Sequence, residues 1–497
     1  MRKLLFFLLI PFCWGVWAQD FGFGFSEDSD EETPSAPPLA FKLNGEAVIE
    51  AAPYVFDFLE TVNIKEISYW NVKVNFAVSS LYLDLFTNLN FNADAIGELW
   101  SGSSDLKHSN YTPRFIDEVF FRAYVGQFNI EAGYRKLSWG RADSPGPLDV
   151  TNPIDYTDLR NITDIRARKI ARPMLHVTWN TGDFSRLESV FIPNFYGHRF
   201  ASAGRWAPSR LSGYADMIKS ELTSQLTGKW KGNPLILLGM IPQIEANLLN
   251  SFTADSILSG VNTSGLKYFQ TGIRYTTTIG SSDVGGQYYY GSLFRPDFSV
   301  KGIDTFVDTI ISTGGLVVNP SLISPEIKYT RYHQIGVDYA RVVYGFNIRA
   351  EAAFHLTKDT KGDDGSSQNP FIGWSLGFDR ELIQGINLNL QCDETIRLFN
   401  SKVGENPILD TEAGSKITST RLSARLSKNF LKDKLESKAT VIWDIENSDC
   451  YIIPSVAYNI GNLKTELSAG IFAGNESGEF GQYWENCFIK AGLKYSF

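Results

Sequence analysis

The chain has 497 residues, a formal net charge of −9 and 14% aromatic residues, with 42 glycines but only five histidines, four cysteines and four methionines. An acidic chain of this kind carries no basic footprint for nucleic acid, and cysteines without CxxC spacing, with histidines scattered, argue against a zinc site or a redox pair. The length allows several soluble domains or one large barrel, and the aromatic, glycine-rich composition suits an all-β protein better than a helical one.

Arg2 and Lys3 precede an apolar run from Leu4 to Trp17, and Val16 and Ala18 stand where cleavage before Gln19 requires small or aliphatic residues. Residues 1–18 therefore read as an export signal. Cys13 follows Phe12, a poor residue for a lipobox, so lipidation is not the reading taken. Residues 19–40, which include FGFGFSEDSDEETPSAPPLA, are acidic, proline-containing and low in complexity. Such a segment buries too little apolar surface to offset its ordering entropy and reads as a disordered periplasmic tail. Past the leader no apolar run reaches the ~20 residues of a helical span, so a membrane protein with this sequence has to be a closed barrel.

Residues 41–497 read as that barrel. Tight turns are expected near Ser79, Gly126, Thr181–Asp183, Gly232–Asn233, Ser281–Asp283, Tyr344–Gly345, Gln384–Gly385, Lys432–Lys434 and Gly461–Asn462. Between them lie long connections: Ala93–Arg114, Trp139–Ile170, Asn194–Asp216, Ser251–Gly265, Lys301–Thr330, Thr357–Pro370 and Ser401–Ile417. Short turns at one end and long loops at the other are the asymmetry of outer-membrane barrels. Counting segments predicts about 20 antiparallel strands, within a range of 16 to 20.

Alternation within the strands assigns their faces. In INLNLQCDETIRL, Ile386, Leu388, Leu390, Cys392, Ile396 and Leu398 share one face and Asn387, Asn389, Gln391, Asp393, Thr395 and Arg397 the other. A barrel with a wet interior requires this split, apolar side chains on lipid and polar ones in the lumen. The same rule places Arg122, Glu131, Arg135, Arg349, Glu351, Arg421 and Arg425 in the lumen beside Asp393 and Arg397. The chain closes on ENCFIKAGLKYSF, in which Cys487, Ile489, Ala491, Leu493, Tyr495 and Phe497 alternate with polar residues. A terminal aromatic on such a strand is the expected signal for the outer-membrane assembly machinery and its periplasmic chaperones, with Phe497 and Tyr495 as its residues.

The stretch Trp139–Asp158, WGRADSPGPLDVTNPIDYTD, cannot continue a sheet, because its prolines lack the ladder donor and its Gly, Asn and Asp favour turns. It lies between two alternating segments, FNIEAGYRKL and MLHVTWN, as the third outer loop. About thirty residues at up to ~3.3 Å each are ample to cross a lumen. Residues 139–170 are therefore expected to fold inward as a constriction, with Trp139, Arg141, Asp143, Asp149, Asp155, Asp158 and Arg160 as its chemistry. The same loop, with ARPMLHVTW, FSRLESVFIPNFYG and GRWAPSR after it, resembles a family of large, poorly characterised bacterial outer-membrane proteins. The shared pattern is a WG(K/R)xD, an NPxD, a PM-aromatic strand and an FIPxF strand, and the more distant analogy is with alginate-export porins. This resemblance covers roughly Arg122–Arg210 and implies a porin-like fold and membrane, not a particular solute.

No catalytic, metal or cofactor constellation stands out. The histidines are scattered, and the KDTKGDDGSS loop with Asp359, Asp363 and Asp364 lacks the frame and closing Glu of a calcium loop. Barrel lipases place Ser and His together on the outer face of the sheet, and here His333 is the outward histidine with no outward Ser beside it. The expectation is a passive outer-membrane channel for small hydrophilic solutes, in contact with outer-membrane lipids and without enzymatic activity. A surface adhesin or receptor barrel and a hydrophobic-solute transporter are the competing readings. Lumen charges of both signs leave ion selectivity open.

Overall fold

The computed structural model describes residues 39–57, 67–101, 112–143, 145–249, 263, 265–316, 319–403, 410–412 and 414–497. The expected leader and most of the expected tail lie outside them, and the first strand begins at Ala40. Among the described residues eighteen strands form one antiparallel sheet. They are β1 (Ala40–Ala51), β2 (Ser68–Ser79), β3 (Leu83–Asn92), β4 (Ile116–Val125), β5 (Phe128–Arg135), β6 (Arg172–Gly182), β7 (Ser185–Ile192), β8 (Gln270–Ile279), β9 (Ser282–Ser292), β10 (Arg331–Val343), β11 (Phe346–Thr357), β12 (Phe371–Glu381), β13 (Ile386–Arg397), β14 (Thr418–Phe430), β15 (Leu435–Asp444), β16 (Asp449–Ile460), β17 (Leu463–Gly474) and β18 (Phe488–Ser496). Each pairs with its neighbours in sequence, and β1 pairs with both β2 and β18, so the sheet closes on itself. Closure removes the free edges that an open sheet would expose to lipid.

The register follows the alternation. On β13 and β14, Leu390 faces Ala424 and Cys392 faces Leu422 outward, while Asn389 faces Arg425 and Asp393 faces Arg421 inward. Outward Ile335, Val337, Leu376, Val456 and Leu467 are exposed, as an apolar band made for hydrocarbon must be. Pro454 on β16 also faces outward, where the ladder to β17 is interrupted between Ile452 and Ser455. That break suits a residue with no N–H. Even-numbered connections are tight: at Tyr344–Gly345 both φ angles are positive, 50° and 80°, the geometry of a primed hairpin turn. The long loops gather at the other end, apart from Ile445–Ser448, which is short.

Two differences from the expected strands have local causes. The segments on either side of Gly232–Asn233 are helices, Tyr214–Lys229 and Pro234–Leu249, so the connection from β7 to β8 is one long outer loop. Ile218, Leu222 and Leu226 recur every fourth residue and are buried with Leu237 and Met240 of the second helix and Phe306, Val307 and Ile310 of helix Ile303–Ser312. This is a helical stripe with its own core, not a half-wet strand. Cys487 does not face lipid. It precedes β18, after the turn Gly481–Asn486, and is buried in an apolar cluster, where its Sγ accepts from Phe472 N at 3.2 Å.

Phe497 helps to close the barrel through its backbone. Its N–H donates to Gly45 O at 2.9 Å and its carbonyl accepts from Gly45 N at 2.8 Å, while its ring lies against Gly45 and stacks on Tyr495 at 6.5 Å. Deleting Phe497 removes both hydrogen bonds at the β1–β18 seam. The expected result is a lower yield of heat-modifiable barrel in membrane fractions, and an undiminished yield would show that the seam closes without this residue.

Candidate functional site

The connection from β5 to β6, residues 136–171, starts from a root tied by one side chain. Asn152 Oδ1 accepts from Leu137 N at 2.8 Å, and its Nδ2 donates to the carbonyls of Arg135 and Ile170, both at 2.9 Å. Asn152 is the Asn of the NPxD motif, so that motif stitches together the ends of β5 and β6. Thr151 Oγ1 donates to Leu137 O at 2.8 Å and reinforces the knot.

From this root a first lobe, residues 137–151, runs over the inner faces of β7 to β13. Trp139 is 3% exposed; its indole donates to Glu188 on β7 at 3.2 Å and meets Tyr289 of β9 edge-on. Gly272 of β8 leaves room for the indole, since a Cβ there would come within 2.8 Å of it. Arg141 Nε donates to Asp338 on β10 at 2.6 Å, and its guanidinium lies 3.3 Å from Asp283 on β9. Asp338 also takes Arg274 of β8 at 2.6 Å, so a buried carboxylate is shared by two guanidiniums. Asp143 accepts from Arg349 of β11 and Asn389 of β13, each at 2.5 Å, and its N–H donates to Gln391 at 2.8 Å. The return leg is held by Gln334 and Gln287, which donate to the carbonyls of Pro147 and Leu148 at 2.6 and 3.0 Å.

A second lobe, residues 152–169, reaches the opposite wall. Tyr451 of β16 donates to Leu159 O at 3.3 Å and Lys490 of β18 to Asn161 at 2.7 Å. Leu159 joins Tyr54, Trp206, Tyr451, Phe472, Phe480 and Phe488 in an apolar cluster. Asp158 and Arg160 pair with each other at 2.6 Å, Asp155 with Arg199 at 2.8 Å and Asp149 with Lys169 at 2.7 Å. Burial raises the Asp149 carboxyl above the ordinary range against the pull of Lys169. Burial also opposes ionisation of Asp155, but Arg199, with help from Thr157 and Arg114, outweighs it and holds that carboxyl below the usual value. His198, whose Nδ1 accepts from Ile154 N at 2.9 Å, is neutral: burial, with Arg295 and Arg168 near, pushes its pKa down to about 3.

Between the two lobes and β13–β15 lies a cavity lined by Asp143, Tyr156, Arg168, Arg421, Arg425 and Glu479, together with Gln391 and Ser423. Arg421 pairs with Glu479 of the last outer loop at 2.5 Å. Burial disfavours the Glu479 charge, yet Arg421 holds the carboxyl below its usual range.

The expected lumen residues divide accordingly. Arg421 and Arg425 line that cavity; Arg349 and Glu351 hold the first lobe. Glu131 and Arg135 lie against the wall beside His176, whose Nδ1 is 2.8 Å from Glu131, and Arg122 joins Glu131 at 2.7 Å. Arg397, at the outer end of β13, pairs with Glu412 at 2.6 Å and holds an outer loop. Asp393 accepts from Gln391 at 2.7 Å. Asp338 and Glu188 as partners of the loop, and Glu479 beside Arg421, are not legible in the sequence. Alternation marks Asp338 and Glu188 as inward, but nothing local says which loop residue meets them. Among the described residues no group of His, Cys, Asp and Glu side chains could hold a metal ion. The Asp359 carboxylate is turned onto its own loop, accepting from Asp363 N and Asp364 N at 3.1 and 3.2 Å.

A closed eighteen-strand antiparallel barrel with tight turns at one rim, long loops at the other and an apolar outer band is the architecture of an outer-membrane porin. No protein-family model matches the chain, and no curated protein matches it. Among solved structures it is similar to a BenF-like porin from Pseudomonas fluorescens Pf-5, at 10% identity over 93% of this chain and 98% of that one, with a TM-score of 0.43. It is also similar to Pseudomonas aeruginosa OccK2 (OpdF) in complex with glucuronate, at 9% identity over 92% and 97%, with a TM-score of 0.45. A third is Pseudomonas aeruginosa OpdK with vanillate, at 9% identity over 92% and 98%, with a TM-score of 0.41.

Proposed function

We propose that this protein is a passive channel for small hydrophilic solutes across the bacterial outer membrane, and that residues 139–170 are its constriction. The observation that carries the reading is the two-lobed loop: its tips bond to β9–β13 on one side and to β16 and β18 on the other, leaving beside β13–β15 the cavity that we read as the passage. That passage carries three guanidiniums, Arg168, Arg421 and Arg425, against two carboxylates, Asp143 and Glu479. The excess positive charge in a confined, weakly screened space favours anions. In this reading Phe497 and Tyr495 serve recognition by the assembly machinery, and residues 1–18 direct export. The WG(K/R)xD and NPxD signature is a packing signature, its Trp on the wall and its Asn at the root.

Refolded protein in planar bilayers is expected to give discrete ohmic steps, with a reversal potential on the anion side in a salt gradient. Assembled protein that does not conduct would overturn the channel. The receptor reading would then take its place, supported by the outer helical lobe with its own core.

A further inference from the structure

We propose that Glu351 is the positioning residue that sets where the first lobe of the loop sits, and through it the width of the passage. This inference rests on the reading of the loop as the constriction. Glu351 stands mid-way along β11, points inward and is 4% exposed. Its Oε1 accepts from the backbone N–H groups of both Arg141 and Ala142, the second at 2.7 Å. Consecutive N–H groups converging on one oxygen form an anion-holding concavity, here closed on a wall carboxylate.

The loop is shaped around that carboxylate. Gly140 has φ +94°, and a Cβ on it or on Gly146 would come within 2.4 Å of a Glu351 oxygen. Both glycines of the first lobe's tip are thus required by close approach to the same group. The neighbouring cations are engaged elsewhere: Arg141 reaches Asp338 and Asp283, and Arg349 reaches Asp143 and Asp379. Glu351 therefore acts as an acceptor for backbone donors, and Asp143, which lines the passage, follows those donors directly in the chain. Removing the acceptor leaves two N–H groups unsatisfied in a buried site and frees the lobe to shift.

The test compares Glu351→Ala, Glu351→Gln and Gly146→Ala in planar bilayers, reading conductance, current noise and the polymer size excluded from the pore. Heat-modifiable migration verifies assembly. Glu351→Ala is expected to give a wider, noisier pore with a larger cut-off, and Gly146→Ala to do the same from the loop side. Glu351→Gln keeps a carbonyl acceptor in place and is expected to retain the parental cut-off, which separates positioning from a mere lumen charge. A parental cut-off in assembled Glu351→Ala, or equal behaviour of the Ala and Gln variants, overturns the proposal. If Glu351→Ala does not assemble, Gly146→Ala decides: a parental pore overturns it. A chain lacking the first lobe separates the two readings. If that chain conducts as the parent does, the constriction itself is wrong; if it widens while Glu351→Ala does not, only the role of Glu351 falls.

Discussion

Replacing Trp139–Val150 by a short Gly-Ser linker is expected to raise single-channel conductance by about twofold or more, because conduction is set by the narrowest cross-section and the charges that line it. The replacement is geometrically mild at the root. Leu137 N and Asn152 Oδ1 are 2.8 Å apart, so the ends to be joined are already neighbours, and the second lobe keeps its own bonds to Tyr451 and Lys490. One cation, Arg141, and two carboxylates, Asp143 and Asp149, leave with the lobe, while Asp338, Glu188 and Glu351 become wet together with Arg274, Arg349 and Lys169. The reversal potential is therefore expected to move further toward anions. An assembled variant with parental conductance and reversal potential would remove the loop from the permeation path.

The second large effect concerns stability. Arg at Ala424, outward at the middle of β14, should cost roughly 2 to 4 kcal/mol near the bilayer midplane, whereas Arg at the adjacent Ser423, inward on the passage, should cost little. The contrast isolates the face, since the two positions share strand and depth. Ser423→Arg should instead lower conductance, because Ser423 lines the passage. Unfolding free energy in lipid checks the first half of the contrast and bilayer recording the second. Equal penalties on the two faces would contradict the register of β13 against β14.

Much of the barrel is legible residue by residue. Side chains alternate along a strand with period two, so a polar-apolar repeat assigns faces before any partner is known. Leu390, Asn389 and Arg425 stand where that repeat puts them. The β7–β8 connection was legible only in part. Gly232–Asn233 carries turn chemistry that serves a helical hairpin as well as a β-hairpin, and the spacing of Ile218, Leu222 and Leu226 was the signal that separates them. An inward Arg141 and Asp143 could be proposed from loop length and charge. Their partners could not: Asp338 lies 197 residues from Arg141 and Asn389 246 residues from Asp143.

Residue order alone carries the closed antiparallel architecture, the lipid and lumen faces of its strands, and a polar third outer loop. Period-two alternation, turn residues and the lack of a long apolar helix are local properties, each read within a dozen residues. The strand number, the helical lobe, the burial of Cys487, and the division of the loop into one lobe pinned on Glu351 and another on β16 and β18 emerge only in the folded chain. Those features depend on which distant surfaces meet once the barrel has closed. A carboxylate on one strand and two backbone N–H groups of a loop carry no mark in the sequence that they will share a hydrogen bond; closure of the sheet brings them together.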